Sequence, residues 1–306
     1  MPAGVISTGS HPKLLWPGVH ATWGQVNAAH QTEHTDLFDV LDSDKAYEEE
    51  LQVTPFGIAP LKTEGGAGSY DSEVQGPTSR YTHLAYFLGF ICTYEELRDN
   101  KYPEVAPRRA EANAFSINQT IETVAAFLYN NAFATTYFTT GDGAALISTA
   151  HLNTTGGTYS NALSPAADIS EAALEDLTIQ IMGFQDDRGN NISVMPRSLH
   201  TSRQDWYTAN RILKSVLQPD TTSNNINVLK AVNAFPEGLK LNHYFTAPHA
   251  WFIRTNQPHG MQMFWRDRPF FDQDNDFDTK NAKAGTYMRF SVGATDPRGI
   301  AGSNGP

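Results

Sequence analysis

The sequence predicts an α+β fold, and three observations carry that expectation. Helical and strand patterns mix irregularly along the chain, without the regular alternation of a doubly wound sheet and without an internal repeat. One apolar period of three and four residues persists from Ala110 to Leu128, which marks a single long helix. The segment from Met261 onward, with MQMFWRDRPFF and GTYMRFSVG, reads as long closing strands. At 306 residues the chain holds one large or two modest domains, either able to bury a real core. Hydrophobic residues at 40% and charged residues at 18% place it among globular chains and not disordered ones.

Residues 1–35 carry many Gly, Pro, His, Asn and Thr without a sustained period and read as an extended arm. LFDVL at 37–41 and the SDKAYEEEL that follows suggest a short amphipathic segment ending near Leu51. The stretch LQVTPFGIAPLKTE is then extended in character, broken by Pro55 and Pro60. Residues 64–79, EGGAGSYDSEVQGPTS, are dense in Gly and Ser and nearly free of aliphatics. Residues 80–97, RYTHLAYFLGFICTYEEL, are strongly β-prone. Two strands around a long flexible tip make a projecting hairpin whose second strand is apolar on both faces. An isolated hairpin is marginal in water, so this one needs a surface to pack on, its own or a neighbour's.

Residues 101–135 hold the long helix, with Pro107 expected in its first turn, where a missing N–H costs nothing. Ala110, Ala114, Ile117, Ile121, Val124, Ala125 and Leu128 form its apolar stripe. About 26 residues give a rod on the order of 40 Å. The Gly/Thr-rich run 139–161 is β or loop. Ser170 or Asp168 caps a helix through Phe184, with Leu174, Leu177 and Ile181 on one face. NISVMPRSLHTS at 191–202 reads as a buried strand leading into a helix lined by Trp206, Ala209, Leu213 and Val216, which Pro219 stops. A polar loop at 218–227 precedes strands at 239–245 and 249–255.

Charge and composition exclude several functions. The net charge is −11, from 33 acidic against 22 basic side chains, and Lys and Arg are scattered. That disfavours a domain that grips nucleic acid through its phosphates. Apolar runs such as YFLGFIC are far too short to span a bilayer. Lys13 is the only basic residue before position 45 and no apolar core follows it, so no secretion or import signal is expected. The single cysteine, Cys92, rules out an internal disulfide framework and fits synthesis in a reducing compartment.

No constellation reaches the standard of an active site. His30-Gln31-Thr32-Glu33-His34 matches the inverted zinc-protease motif H-x-x-E-H, but no downstream ligand is evident. Asp272, Asp274, Asp276 and Asp278 alternate like a calcium loop, yet Thr279 and Gly285 stand where an EF-hand needs Gly and Glu, so an Asp-rich surface turn is expected. Gly141-Asp142-Gly143 and the GGAG at 65–68 match no phosphate-binding loop, and no serine sits in a G-x-S-x-G elbow. Cys92 lies in an apolar strand as a small buried hydrophobe. No catalytic, cofactor-binding or metal-ligating residue is expected, and no enzymatic activity.

Five segments in order carry a family resemblance: DGAALISTAHLN at 142–153, NISVMPRSL with its following helix, HAWFIRTN at 249–256, FWRDRPFFDQDND at 264–276 and GTYMRFSVGATDPRGIAGS at 285–303. Taken together the chain resembles the major capsid proteins of tailed phages, of the Hong Kong 97-type fold and with Mu-like head subunits among its relatives. The resemblance implies an N-terminal arm (1–50), an extended β-hairpin loop (51–100), a peripheral domain with a spine helix (101–139), an axial domain (140–260) and return strands of the peripheral domain (261–306). It implies self-assembly as hexamers and pentamers into an icosahedral head that encloses double-stranded DNA without sequence-specific binding or any membrane. Its implied partners are a scaffolding protein, a portal, and a maturation protease or decoration proteins. Localisation would be the virion, after synthesis in the host bacterial cytoplasm. No acidic coiled coil of scaffolding size is present, so a separate scaffold, or one removed before residue 1, is expected. Lys62 lies in the loop but matches no known cross-linking pattern. Two other classes stay open: a different phage structural protein, such as a decoration or tail component, and a metal-dependent hydrolase built on His30, Glu33 and His34.

Overall fold

The computed structural model describes residues 16–93, 95–96, 102–217, 226–276, 278 and 281–305. Its helices are α1 (Trp16–Ala29), α2 (His34–Leu37), α3 (Tyr102–Asn130), α4 (Glu171–Met182), α5 (Trp206–Lys214) and α6 (Val228–Ala231). The first strands are β1 (Asp39–Asp42), β2 (Tyr47–Val53), β3 (Gln75–Thr82), β4 (Leu84–Cys92), β5 (His151–Leu152) and β6 (Thr158–Tyr159). The later ones are β7 (Pro196–Thr201), β8 (Leu239–Leu241), β9 (Trp251–Thr255), β10 (Met261–Asn275), β11 (Ala282–Ala294) and β12 (Ile300–Ser303). Two four-stranded sheets, ordered β1-β10-β11-β4 and β12-β9-β7-β8, carry the fold, with the ladders β2-β3 and β5-β6 beside them. Helix and strand mix as the α+β expectation requires.

Helix α3, 29 residues long, organises the first sheet. Its stripe is Ala106, Ala110, Ala114, Ile117, Ile121, Ala125 and Leu128, all buried. The three alanines at its start are small enough for Val19 and Trp23 of α1 to settle beside Phe271 of β10 and Ala282 and Ala284 of β11. Farther along, Ile117, Ile121, Ala125 and Leu128 meet Met263, Trp265, Met288 and Phe290 of β10 and β11, together with Phe252 and Ile300 of the second sheet. One helix face therefore belongs to both sheets. Beyond it, α4 packs Leu174, Leu177 and Ile181 onto Leu199, Trp251, Ile253 and Ala301. As expected, Ser170 caps α4, its hydroxyl accepting the Ala173 N–H at 3.1 Å.

Several expectations need correction. Residues 16–29 are helical, not extended, because Val19, Trp23 and Val26 recur at four and three residues and find an alanine-lined groove on α3. Residues 1–15, Lys13 among them, lie outside the described residues, as do Tyr94 and residues 97–101. The segment 37–51 is not one amphipathic piece: it is β1, a turn and β2. Pro107 sits inside α3 and not in its first turn. A proline there removes one i→i−4 bond near the start of the helix. The buried positions of α5 are Ala209 and Ile212, while Val216 lies past its end and is exposed. Pro219 and residues 218–225 fall outside the described residues.

The hairpin differs most. Its first strand is β2, which pairs antiparallel with β3 from Tyr47↔Thr82 to Val53↔Gln75. The β-prone run after it divides at His83, so that β4 pairs with β11 in the first sheet. His83 is buried between two hydroxyls, Ser291 Oγ at 2.9 Å and Ser43 Oγ at 3.2 Å, which fixes the chain where it changes partners.

Two predictions follow from the second core. Leu177→Ala removes a fully buried side chain and should cost about 2–5 kcal/mol in chemical denaturation, against little change for an exposed site on the same helix. His200 of β7 is fully enclosed, with Nε2 2.8 Å from Ser198 Oγ. Burial, then Arg254, Lys240 and Arg197, pushes its pKa down from 6.5 to about 3. The unfolded chain therefore binds a proton that the folded one refuses, and stability falls as pH drops from about 6.5 toward 3. Thermal melts across that range should show a shallower acid decline for His200→Gln than for the parent; equal slopes would contradict this.

Candidate functional site

The structure takes the sequence candidates for chemistry apart. His34 turns inward and its Nδ1 lies 2.7 Å from Glu122 Oε1 of α3. The Glu122 carboxylate also accepts the backbone N–H of Glu33 and His34, satisfying free donors at the start of α2. Glu33 takes the His243 backbone N–H at 2.9 Å and touches its ring. Because α1 ends at Ala29, His30 and His34 share no helical face, and the zinc-hydrolase alternative is corrected: His34 seats α2 against α3 through Glu122, and the Glu33 side chain turns to His243 instead. Asp272 and Asp274 lie on β10, not in a turn; Asp276 pairs with Lys283 at 2.6 Å. Among the described residues no three His, Cys, Asp or Glu side chains converge to hold a metal. Cys92 is buried, and that burial raises its thiol pKa against the pull of Arg109, 3.4 Å from Sγ.

What the structure leaves open to a partner is apolar surface. Between β2 and β3 the chain runs through residues 54–74 without regular structure, and this loop exposes Phe56, Ile58 (80%), Leu61 (95%) and Tyr70 (98%). β4 is the edge strand of its sheet, and it adds Leu84, Phe87 (71%), Leu88 and Ile91, with Phe270 of β10 close in the same sheet. Exposed apolar residues scattered singly are ordinary, but a run along one arm and one sheet edge marks an interaction surface.

The root of this arm is fixed by polar contacts. Glu50 of β2 accepts the Thr295 hydroxyl at 2.7 Å and Gln262 Nε2 at 3.0 Å. The Tyr81 hydroxyl of β3 lies 2.7 Å from Thr295 Oγ1 and 3.0 Å from Gln262 Oε1. β3 also rests on the turn at 141–143: a Cβ at Gly141 would sit 2.7 Å from Pro77 Cβ, so glycine is required there. Asp142 of that turn binds His151 Nδ1 at 2.8 Å and accepts the N–H of Ala144 and Leu152. Burial alone would raise this carboxyl; the His151 ring, the Thr140 hydroxyl and the Ala144 N–H outweigh it and hold the group well below the ordinary carboxylate range.

Arg298 sits at the centre of the neighbouring contacts. Its Nη2 reaches Asp187 at 2.8 Å and Asn153 at 2.9 Å, and its guanidinium lies 4.2 Å from the Tyr159 ring centroid. Asp296 accepts the Arg298 backbone N–H at 2.9 Å, and burial raises its carboxyl pKa. Asn161 completes the cluster by donating to the carbonyls of Leu146, Pro297 and Ile300. Sequence reading missed this hub. The only local signal was the turn-like DPRG at 296–299, since its partners lie more than a hundred residues away.

A family model described as phage capsid protein matches residues 79–303. No curated protein matches the chain in sequence. Among solved structures, the procapsid of bacteriophage JBD30 is similar at 13% identity and a TM-score of 0.54, over 97% of this chain and 76% of that one. A virus-like particle from Pyrococcus furiosus is similar at 10% identity and 0.53, over 94% and 99%. The capsid of Myoviridae phage XM1 gives 11% and 0.52, over 87% and 90%. At these identities the likeness is one of fold.

Arg298→Ala would leave the buried Asp296 and the half-buried Asp187 without their cation. It should lower stability by about 3–5 kcal/mol in denaturant titrations.

Proposed function

The chain belongs to the phage capsid protein family and is a structural subunit of the head shell, and from that premise we propose that each copy seats its hairpin loop on a neighbouring copy. Hexamers and pentamers built in this way would tile an icosahedral head around double-stranded DNA. The observation that carries the proposal is the apolar surface of the loop: Phe56, Ile58, Leu61 and Tyr70 are exposed on an arm with no core of its own. Fully burying such a side chain is worth roughly 1.5–3 kcal/mol, so a neighbour that covers several of them gains a contact the monomer lacks. Shell subunits touch several neighbours, and modest pairwise energies then sum into a stable lattice.

We assign residues 1–50 to a separate N-terminal arm, 51–100 to the projecting hairpin loop, 101–139 and 261–306 to the peripheral domain, and 140–260 to the axial domain. The two sheets support the peripheral and axial parts of that division in outline, except that β12 (Ile300–Ser303) pairs with β9 in the second sheet and β1 and β4 join the first. A scaffolding protein, a portal, and a maturation protease or decoration proteins are the expected partners, and synthesis would take place in the host cytoplasm. The subunit's role is mechanical, without catalysis. Its net charge of −11 suits a shell that encloses DNA without adhering to it.

Replacing residues 58–70 with a short Gly/Ser linker, or introducing Leu61→Ser with Tyr70→Ser, should leave a folded monomer by circular dichroism. Expressed with its scaffold, either variant should give no closed particles in negative-stain micrographs. Normal, stable heads from either would defeat the docking proposal.

A further inference from the structure

Loop 54–74 is closed on itself by short polar ties. Thr54 and Val74 exchange bonds at its root: the Thr54 N–H donates to the Val74 carbonyl at 3.0 Å and the Val74 N–H to Thr54 Oγ1 at 2.8 Å. Farther out, the Asp71 carboxylate accepts the N–H of Gly57 at 2.7 Å, joining the two limbs, and that of Ser72 at 2.8 Å. The same carboxylate takes Arg188 Nη1 at 2.8 Å, while Arg188 Nη2 donates to the Ser72 carbonyl. One planar fork thus grips the loop by a side chain and a main-chain oxygen at once.

Arg188 is itself held still. It lies in the turn 185–191, bridged between Gln185 and Asn191 and closed by the Asp186 N–H on the Asn190 carbonyl at 2.8 Å. The Asp186 carboxylate accepts the N–H of Arg188 and of Asn190, and Gly189 supplies the φ of +82° that the turn needs. Next to it, Asp187 is bonded to Arg298 at 2.8 Å and accepts the Thr154 hydroxyl at 3.1 Å. A continuous polar path therefore runs from the buried Arg298 hub through the turn to the loop.

We propose that Arg188 is a positioning residue for shell assembly, clasping Asp71 and Ser72 so that the loop is held at a fixed angle with its apolar side chains left for a neighbouring copy. The inference rests on the hairpin-docking proposal and deepens it. Docking an unrestrained loop loses conformational freedom, and a loop part-ordered beforehand loses less. The clasp engages polar groups alone and leaves Ile58, Leu61 and Tyr70 bare. It therefore presents the docking surface and does not mask it. An exposed ion pair is weak by itself, and its effect grows because every copy in the lattice repeats it.

The test measures the threshold concentration for closed particles, by light scattering and negative stain, for Arg188→Gln, Asp71→Asn, their double variant and Arg188→Lys. Leu61→Ser with Tyr70→Ser runs in parallel. Each single clasp variant should raise the threshold about three- to tenfold, as a weak contact repeated across the lattice would. The melting temperature should not move, and amide exchange across 55–74 in the monomer should quicken. The double variant should be no worse than either single one, and Arg188→Lys should restore part of the loss by keeping one of the two bonds. An unchanged or lowered threshold for Arg188→Gln, while the Leu61/Tyr70 variant fails to assemble, refutes the clasp and leaves docking standing. Normal assembly of the Leu61/Tyr70 variant removes docking and the clasp together.

Discussion

Phe56, Ile58, Leu61 and Tyr70 stand in water because the loop that carries them runs out beyond the β2-β3 ladder, past the point where Tyr81 packs β3 on the first sheet. A sheet hides its apolar residues by packing a face against something else, and the loop between β2 and β3 has no such face. The rest of the subunit accommodates this constraint by giving the arm a rigid root in place of a core. Glu50, Tyr81, Thr295 and Gln262 join the hairpin to the first sheet through buried hydrogen bonds, and Gly141 lets β3 lie directly on a turn next to the second. The arm's position is set by its base, and its apolar surface is left exposed.

Polar contacts suit that root better than apolar ones would. A hydrophobic contact fixes a distance but not an orientation, whereas the Arg298 fork and the Asn161 amide satisfy several acceptors in set directions. Such buried networks hold a geometry at some cost in desolvation. The apolar packing of α3 supplies the stability against which that cost is set, since its stripe belongs to both sheets. Division of labour within the subunit follows from this: one helix holds the mass together, and a polar hub sets where the arm points.

Much of the mass was legible in the sequence. The α3 stripe from Ala110 to Leu128 is local information at three- and four-residue steps, as are the Ser170 cap and the α4 face. α1 escaped notice because Pro17, Gly18 and Gly24 dilute its pattern, and its stability comes from the groove that α3 offers and not from propensity. The change of partner at His83 was hidden for a different reason. Alternation in a strand says which face is buried but not which strand lies alongside, and β4 pairs with residues 282–290. The H-x-x-E-H string misled because a motif is only as good as the helix that would carry it. For the candidate site, the Gly/Ser-rich tip and the prolines at 55 and 60 announced the projecting loop. The clasp on it, between residues 71 and 188, leaves no trace in either local segment.

The charge balance explains why orientation matters so much here. With a net charge of −11, copies brought together repel one another at long range. At physiological ionic strength that repulsion is damped beyond about 8 Å, so attraction has to come from surfaces in contact. Apolar burial acts only over that range and falls to nothing when an arm points a few ångströms astray. The net charge supplies no overall attraction between copies. The direction has to be built into each subunit before contact, and the path from Arg298 through Asp187 and Arg188 to Asp71 is a set of short directional bonds able to do so.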